Sequence, residues 1–249
     1  MPGETWRLLR TWDAPPGFNM ALDEALLRGE GRPDDARPVL RLYTWSPDAL
    51  SLGYFQRYDE VTAALRGAGH ALPTLVRRMT GGGAIHHLRE LTFSIAADAA
   101  HPLYRGPIAG SYERVHRAVA AALRRHGAEA RERGADALTS DDAASPMCFH
   151  GSTAVDLVWN GRKGVGSAQR RTGGRVLHHG SIKLGSTPLE GAIATLGDIA
   201  PEELAETLLE VLGEAFGATF EDAPPREEEL LYARARERFF ASDAHLRRR

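Results

Sequence analysis

The sequence predicts an α+β fold, with helices flanking a largely antiparallel or mixed β-sheet. Three observations carry that prediction: short runs of β-formers, tight-turn dipeptides between them, and apolar stripes of helical period interleaved along the chain. Asn160-Gly161 is the clearest turn, because both residues accept the positive φ of a two-residue hairpin. Hydrophobic residues make up 43% of the 249, enough for a sizeable core. No linker, repeat or low-complexity segment breaks the pattern, so residues 1–249 read as one domain.

Trp6 to Trp12 reads as a first strand, broken by Pro15-Pro16-Gly17. Asn19 is placed to cap a helix whose apolar face is Phe18, Leu22, Ala25 and Leu26, with Asp23 and Glu24 in its first turn. Gly29 to Pro38 reads as a polar loop. Val39 to Trp45 is rich in β-formers, Ser46-Pro47-Asp48 turns it, and Ala49 to Tyr54 is expected to be its partner. Asp59 to Leu65 reads as a short helix ending near Gly67. Leu75 to Arg78 then enters a glycine triplet as a strand. Leu91 to Ala96 leaves it, with Leu91, Phe93 and Ile95 facing one way.

Ile108 to His126 reads as a helix with Tyr112, Val115, Val119, Ala122 and Leu123 on one face, ended by Gly127. Ala128 to Pro146 has little pattern. Val155 to Trp159, Lys163 to Gln169 and Arg175 to Leu184 read as strands joined at Asn160-Gly161 and Thr172-Gly173-Gly174. Pro201 opens a helix with Leu204, Leu208, Val211, Leu212 and Phe216 on one face. Glu227 to Phe240 is a last helix, and residues 247–249 read as a solvated tail. The segment 186–249 has room for two or three helices.

The net charge is −2, without the basic surplus of a protein that lives on phosphate contacts, so nucleic acid is not an expected partner. Cys148 is the one cysteine. It has no partner for an internal disulfide, which fits a reducing compartment. The start of the chain lacks the basic-then-apolar pattern of a secretory signal. No run approaches the ~18 apolar residues of a membrane helix. A cytoplasmic protein with no membrane partner is expected.

The chemistry concentrates in two glycine-rich clusters. The first is Arg77-Arg78-Met79-Thr80-Gly81-Gly82-Gly83-Ala84-Ile85-His86-His87. Glycines let backbone N–H groups approach a ligand closely, and arginines can grip a carboxylate or phosphate in a fork. The second runs through Cys148-Phe149-His150, then Gly161-Arg162-Lys163-Gly164-Val165-Gly166-Ser167-Ala168-Gln169-Arg170, then His178-His179-Gly180-Ser181. Adjacent histidines on a strand point to opposite faces, which argues against a metal site at either His pair. His150, two residues after Cys148, is a possible partner for its thiol only if the segment is extended.

Arg77-Arg78-x-Thr80-Gly81-Gly82-Gly83-Ala84, Gly161-Arg162-Lys163-x-x-Gly166-Ser167-Ala168-Gln169 and His179-Gly180-Ser181 resemble the three signature blocks of the lipoate–protein ligase, octanoyltransferase and biotin–protein ligase superfamily. Asn19-Met20-Ala21-Leu22-Asp23-Glu24 is similar to its opening helix, and the resemblance covers residues 6–185. It implies a biotin/lipoate-ligase type of catalytic domain whose sheet cradles a medium-chain acyl group. It also implies that Lys163 points at the acyl carbonyl. A lone strand lysine is ordinarily a surface charge. Within this block Lys163 is expected to be partly desolvated, with a lowered pKa suited to proton transfer.

The superfamily divides by chemistry. Ligases activate a free acid with ATP and Mg²⁺. Octanoyltransferases take the acyl group from a carrier-protein thioester through a cysteine. Cys148 resembles the nucleophile of the cysteine-dependent, ligase-like octanoyltransferases, although a lone cysteine is more often a small buried hydrophobe. An ammonium beside a thiol favours the nucleophilic thiolate. Glu90-Leu91-Thr92-Phe93-Ser94 also looks more like these transferases.

The resemblance therefore implies catalytic roles for Cys148 and Lys163. It implies substrate-binding roles for Arg78, Gly81, Gly82, Gly83, Ala84, His86, Gly166, Ser167, Ala168, His179 and Gly180. An acyl carrier protein is the implied donor, and a lipoyl domain or glycine-cleavage H-type protein the acceptor, with no metal or cofactor required. The alternatives are an ATP-dependent lipoate–protein ligase and a non-catalytic binder of lipoyl domains or acyl groups. Many relatives carry an acidic residue just after the glycines, where this chain has Ile85-His86-His87-Leu88. That absence supports the binder and leaves open which histidine faces the pocket.

Overall fold

Residues 3–31 and 35–248 are described by a computed structural model. Residues 32–34 of the expected Gly29–Pro38 loop, Met1 and Pro2 at the start, and Arg249 of the expected tail lie outside the described residues.

Strand β1 (Glu4–Ala14) leads into helix α1 (Pro16–Arg28), and β2 (Val39–Trp45) pairs parallel to β1. The chain then leaves this sheet to build β3 (Ala49–Leu52), α2 (Tyr58–Gly67), β4 (Thr74–Arg77) and β5 (Ile85–His87). It returns with β6 (Glu90–Asp98), followed by α3 (Ile108–Arg125) and β7 (Arg131–Glu132). Strands β8 (Leu157–Trp159), β9 (Arg162–Thr172) and β10 (Arg175–Lys183) follow. The last described elements are α4 (Pro201–Phe216), β11 (Ala218–Asp222), α5 (Glu227–Phe240) and α6 (Asp243–Leu246).

The large sheet has the order β11-β1-β2-β6-β10-β9-β8-β7, and a small sheet has the order β4-β3-β5. The large sheet is mixed: its β11-β1-β2 edge is parallel and the rest antiparallel. Leu91, Phe93 and Ile95 do share a face, where they pack with Val115 and Val119 of α3 and Leu204 and Leu208 of α4. The opposite face is covered by α1, whose Met20, Ala21 and Leu22 pack with Tyr43, Trp45 and, from α5, Ala233 and Phe240. Among the described residues no helix is long and apolar enough to cross a membrane.

Several expectations are corrected. The first helix starts at Pro16, because proline suits the first turn, where its missing N–H costs nothing. Asn19 is therefore inside the helix, not its cap, and Asp23 and Glu24 lie beyond the first turn. Ala49–Leu52 does not pair with β2; it pairs with β4 and β5 in the small sheet. The glycine loop is followed by β5 before β6 begins. Among its described residues the C-terminal segment holds three helices but also β11, which extends the large sheet beside β1. Arg247 pairs with Asp59 at 2.8 Å, and the Arg248 guanidinium sits 3.8 Å above the Tyr54 ring, so neither is a free tail residue.

Candidate active site

The antiparallel register of β9 and β10 sets Gly166 beside Ser181 and Ala168 beside His179. Side chains alternate along a strand, so these four share the α1 face of the sheet. With Met20, Tyr43, Trp45, Ile85, His87 and Thr92 they line a slot enclosing about 400 Å³, counted to its open mouth. Its walls are apolar or aromatic, with hydroxyl and imidazole groups between them. Across Cys148 lies an open chamber of about 1460 Å³ on the same count, lined by residues that include Tyr112, Met147, Thr153, Asp156 and Lys163. Cys148, Gly82 and Ser167 border both spaces.

Cys148 sits in a 3-10 turn, Cys148–His150, that is stitched to the glycine loop. Cys148 N donates to Ala84 O at 2.7 Å and Ala84 N donates to Pro146 O at 2.9 Å. Gly83 packs so closely on this turn that a Cβ there would lie 2.8 Å from Cys148 N and Cα. A Cβ on Gly166 would lie 3.0 Å from Cys148 Sγ. These two glycines thus make room for the sulfur and its backbone. Gly82 has φ of 95°, a conformation that favours glycine.

The arginines do not offer a free fork. Arg77 is fully buried and donates to the carbonyls of Gly53, Gln56 and His245, fastening the C-terminal segment to the small sheet. Arg78 lines the slot, but its two terminal nitrogens donate to Ser51 O, Ser51 Oγ, Gly81 O and Gly83 O. It shapes the glycine loop. Burial pulls its pKa down to about 10.

Lys163 is 4% exposed. Its Nζ donates to Cys148 O at 3.1 Å and Gly151 O at 3.0 Å, and lies 3.7 Å from Cys148 Sγ. Asp156 Oδ2 is 3.0 Å away on another side. The expectation of a lowered Lys163 pKa is overturned. Burial does pull it down, but the Cys148 sulfur and the Asp156 carboxylate outweigh burial and the net shift is upward. At neutral pH Lys163 is an ammonium, a donor and not a base.

His87, not His86, faces the slot. Its ring stacks on Trp45 at 3.8 Å, and its nitrogens meet Glu90 Oε1 at 2.6 Å and Ser51 Oγ at 2.7 Å. Burial lowers its pKa to about 4, so it is a neutral wall. His86 points away, to Thr187 Oγ1 at 2.9 Å and Asp48 Oδ2 at 3.0 Å. The acidic group absent after the glycines has a counterpart in Glu90, three residues beyond His87. His179 lines the slot, with Nε2 accepting from Thr80 Oγ1 at 2.6 Å and Nδ1 facing Asp23 Oδ2 at 3.3 Å.

Asp23 is a buried hub that also accepts from Arg41, Tyr43 and Ser94. Burial pushes its carboxyl up, but His179 and Arg41 prevail and hold it below the usual carboxylate range. Gly81, Ala168 and Gly180 line the slot; Gly83 borders the chamber; Ala84 is packed in the small-sheet core. The Ser167 hydroxyl faces His116 Nε2 at 2.5 Å, behind the sheet. His150 is no partner for Cys148: its ring lies between the carbonyls of Ser140 and Glu190, 2.7 Å from each. Sequence reasoning missed Asp156 altogether. Its one signal was a carboxylate inside the apolar run Val155 to Trp159.

A family model described as the lipoyl protein ligase A/B catalytic domain matches residues 15–204. The octanoyltransferase LipM of Moorella thermoacetica is 44% identical over 188 residues, covering 74% of this chain and 67% of that one. The octanoyltransferase LipM of Kyrpidia tusciae is 34% identical over 261 residues, covering 91% and 92%. Among solved structures, a bi-partite lipoate protein ligase from Thermoplasma acidophilum superposes with a TM-score of 0.72 at 21% identity, over 97% of this chain and 96% of that one. P. falciparum LipL1, solved with lipoate, superposes with a TM-score of 0.66 at 16% identity, over 98% and 74%. At these identities the structures speak for the fold and the sequences for the family. By the family model and the sequence identities the chain belongs to the lipoyl protein ligase A/B catalytic domain family.

Proposed function

We propose that this protein is an acyltransferase that moves an octanoyl group from an acyl carrier protein thioester to a lysine of a lipoyl-type acceptor domain, by way of Cys148. The observation that carries this reading is the Cys148 sulfur 3.7 Å from the Lys163 ammonium, at the junction of an apolar slot and an open chamber. The similarity to two octanoyltransferases supports it.

The chemistry follows from the placement. The donor's thioester arrives through the chamber, and its alkyl chain enters the slot past Gly82. The Cys148 sulfur attacks the thioester carbonyl. Lys163, charged and 3.7 Å from the sulfur, stabilises negative charge on the sulfur and on the carbonyl oxygen by its field. The C–S bond to the donor breaks, the proton given up by the Cys148 thiol ends on the donor sulfur, and the octanoyl group stays on Cys148. The acceptor's lysine must then reach the new thioester from the chamber, because the acyl chain fills the slot. A thioester already carries the activation that an amide bond requires, so this route uses no nucleotide and no metal. Slot residues Gly81, Ala168, His179 and Gly180 hold the chain, and Arg78 holds the loop.

The test is mass spectrometry of the intact protein after mixing with octanoylated carrier protein. One octanoyl adduct on Cys148, released onto an added lipoyl domain, is expected. A protein that stays unmodified, yet releases pyrophosphate from ATP with free octanoate, would be a ligase instead.

A further inference from the structure

We infer that Asp156 receives the acceptor's ε-ammonium in the open chamber and takes its proton, making Asp156 a catalytic residue of the second half-reaction. This rests on the transferase reading above.

The argument starts from the carboxylate's two oxygens. Oδ2 is fully engaged: it accepts from Thr153 N at 2.7 Å and Thr153 Oγ1 at 3.2 Å, and it faces Lys163 Nζ at 3.0 Å. Oδ1 has no hydrogen-bond partner among the described residues, and Asp156 lines the chamber. A carboxylate whose side chain is 7% exposed, with one oxygen pinned and the other free at a cavity wall, is built to meet a donor that is not part of the chain. The pinning is deep. His116 donates from Nδ1 to Val155 O, and its Nε2 meets Ser167 Oγ at 2.5 Å, so the residue before Asp156 is tied to β9 from behind.

Elimination leads to the same group. The titratable side chains lining the chamber are Tyr112, Cys148, Asp156 and Lys163. Cys148 carries the acyl group at this stage. Lys163 already uses three donors on Cys148 O, Gly151 O and Asp156, and is charged. Burial pushes the Tyr112 phenol up to about 12, so it keeps its own proton. Asp156 is what remains to accept a proton from the amine.

The step balances as follows. The acceptor ammonium docks on Oδ1 and passes one proton through it to water in the chamber. The freed amine attacks the thioester carbonyl, and a C–N bond forms. The C–S bond to Cys148 then breaks. The second proton leaves nitrogen as the adduct collapses and ends on the departing sulfur, which restores the thiol beside Lys163.

The experiment separates the half-reactions in Asp156→Asn, with folding checked by thermal melting. Octanoylated carrier protein loads Cys148, and the adduct is followed by mass spectrometry. A lipoyl domain or hydroxylamine, which is neutral at pH 7, then discharges it. Loading and discharge to hydroxylamine slowed to a similar, smaller extent, because Lys163 loses its carboxylate, with discharge to the lipoyl domain slowed about 100-fold beyond that, are expected. Asp156→Glu, which keeps the charge, should recover part of the loss. Loading and discharge to the lipoyl domain falling by the same factor would overturn the proposal, since Asp156 would then act only by holding Lys163. Unchanged discharge to the lipoyl domain would overturn it too. Asp156→Ser is run in parallel and read by the same outcomes should the Asn protein not fold. A wild-type protein that never loads would sink the transferase reading, and this inference with it, a failure visible without any variant.

Discussion

Two buried lysines on neighbouring strands make opposite uses of the same chemistry. Lys163 on β9 and Lys183 on β10 are 4% and 0% exposed, and both pKa values are raised against burial, Lys163's by the Cys148 sulfur and Asp156, Lys183's by Glu190 and Glu90. Lys183 is sealed: its Nζ meets His86 O at 2.5 Å, Glu90 Oε2 at 2.6 Å and Glu190 Oε1 at 2.9 Å. Lys163 has one carboxylate, two carbonyls and a sulfur around it, and borders the chamber. Burial and ion pairing are therefore common to both, and neither marks a reactive group. What separates them is access. Lys163 faces a nucleophile and open space; Lys183 faces only its counter-ions and fastens β10 to the β5–β6 corner.

Exchanging each lysine for methionine breaks the comparison most sharply. Lys163→Met is expected to cost about 10³-fold in octanoyl transfer, because the charge beside the reacting atoms is gone. Its melting temperature should stay near wild type, since Asp156 can turn its free oxygen to chamber water. Lys183→Met should do the reverse. It strands Glu90 in the core without its cation, a loss of roughly 3–5 kcal/mol in denaturant unfolding. The folded fraction should still load Cys148. Two variants with the same phenotype would mean that access does not divide them.

Glu190 sharpens the same contrast through pH. Burial pushes its carboxyl up from 4.5 to about 7. Between those values the folded protein holds a proton that the unfolded chain has lost, so stability falls as pH rises through that window. The expected fall is on the order of 3 kcal/mol, and Glu190→Gln should remove it. A slope that persists in Glu190→Gln would place its source elsewhere.

The smallest expected effect is at Gly166. An alanine Cβ there would press on Cys148 Sγ at 3.0 Å, and a side-chain sulfur can shift by a few tenths of an ångström. About a tenfold slower loading of Cys148 is expected, with little change in stability. Gly83→Ala should be worse, because its Cβ would meet Cys148 backbone at 2.8 Å, which cannot move alone. Equal effects would mean that the turn, and not the sulfur, is the sensitive part.

Elements with strong local signals were legible in the sequence. A helix falls at Glu227–Phe240 as expected, although the short α6 follows it, and Asn160 and Gly161 take φ of 51° and 69° as the hairpin requires. Asn19 was misread because its side chain answers to distant partners. Its amide donates to Ala14 O and Thr44 O, while its oxygen accepts from Arg41. β11 was missed because a short edge strand is decided by the strand it joins. The choice of His87 over His86 depended on the start of β5, and a one-residue change there reverses both rings.

The sequence by itself determined the glycine blocks, the lone Cys148 and the Lys163 block, since close backbone approach and nucleophilic sulfur are properties of residue type. It also determined most helices, because an apolar stripe is written in local order. Only the tertiary structure decided that the sulfur and the ammonium meet, that Asp156 holds the lysine charged, and that the neighbouring space is split into slot and chamber. Those outcomes depend on which strands pair and in what register, and on the carboxylates that pairing brings to a buried charge. Contacts between residues far apart in the chain set that balance, and no stretch of sequence carries it alone.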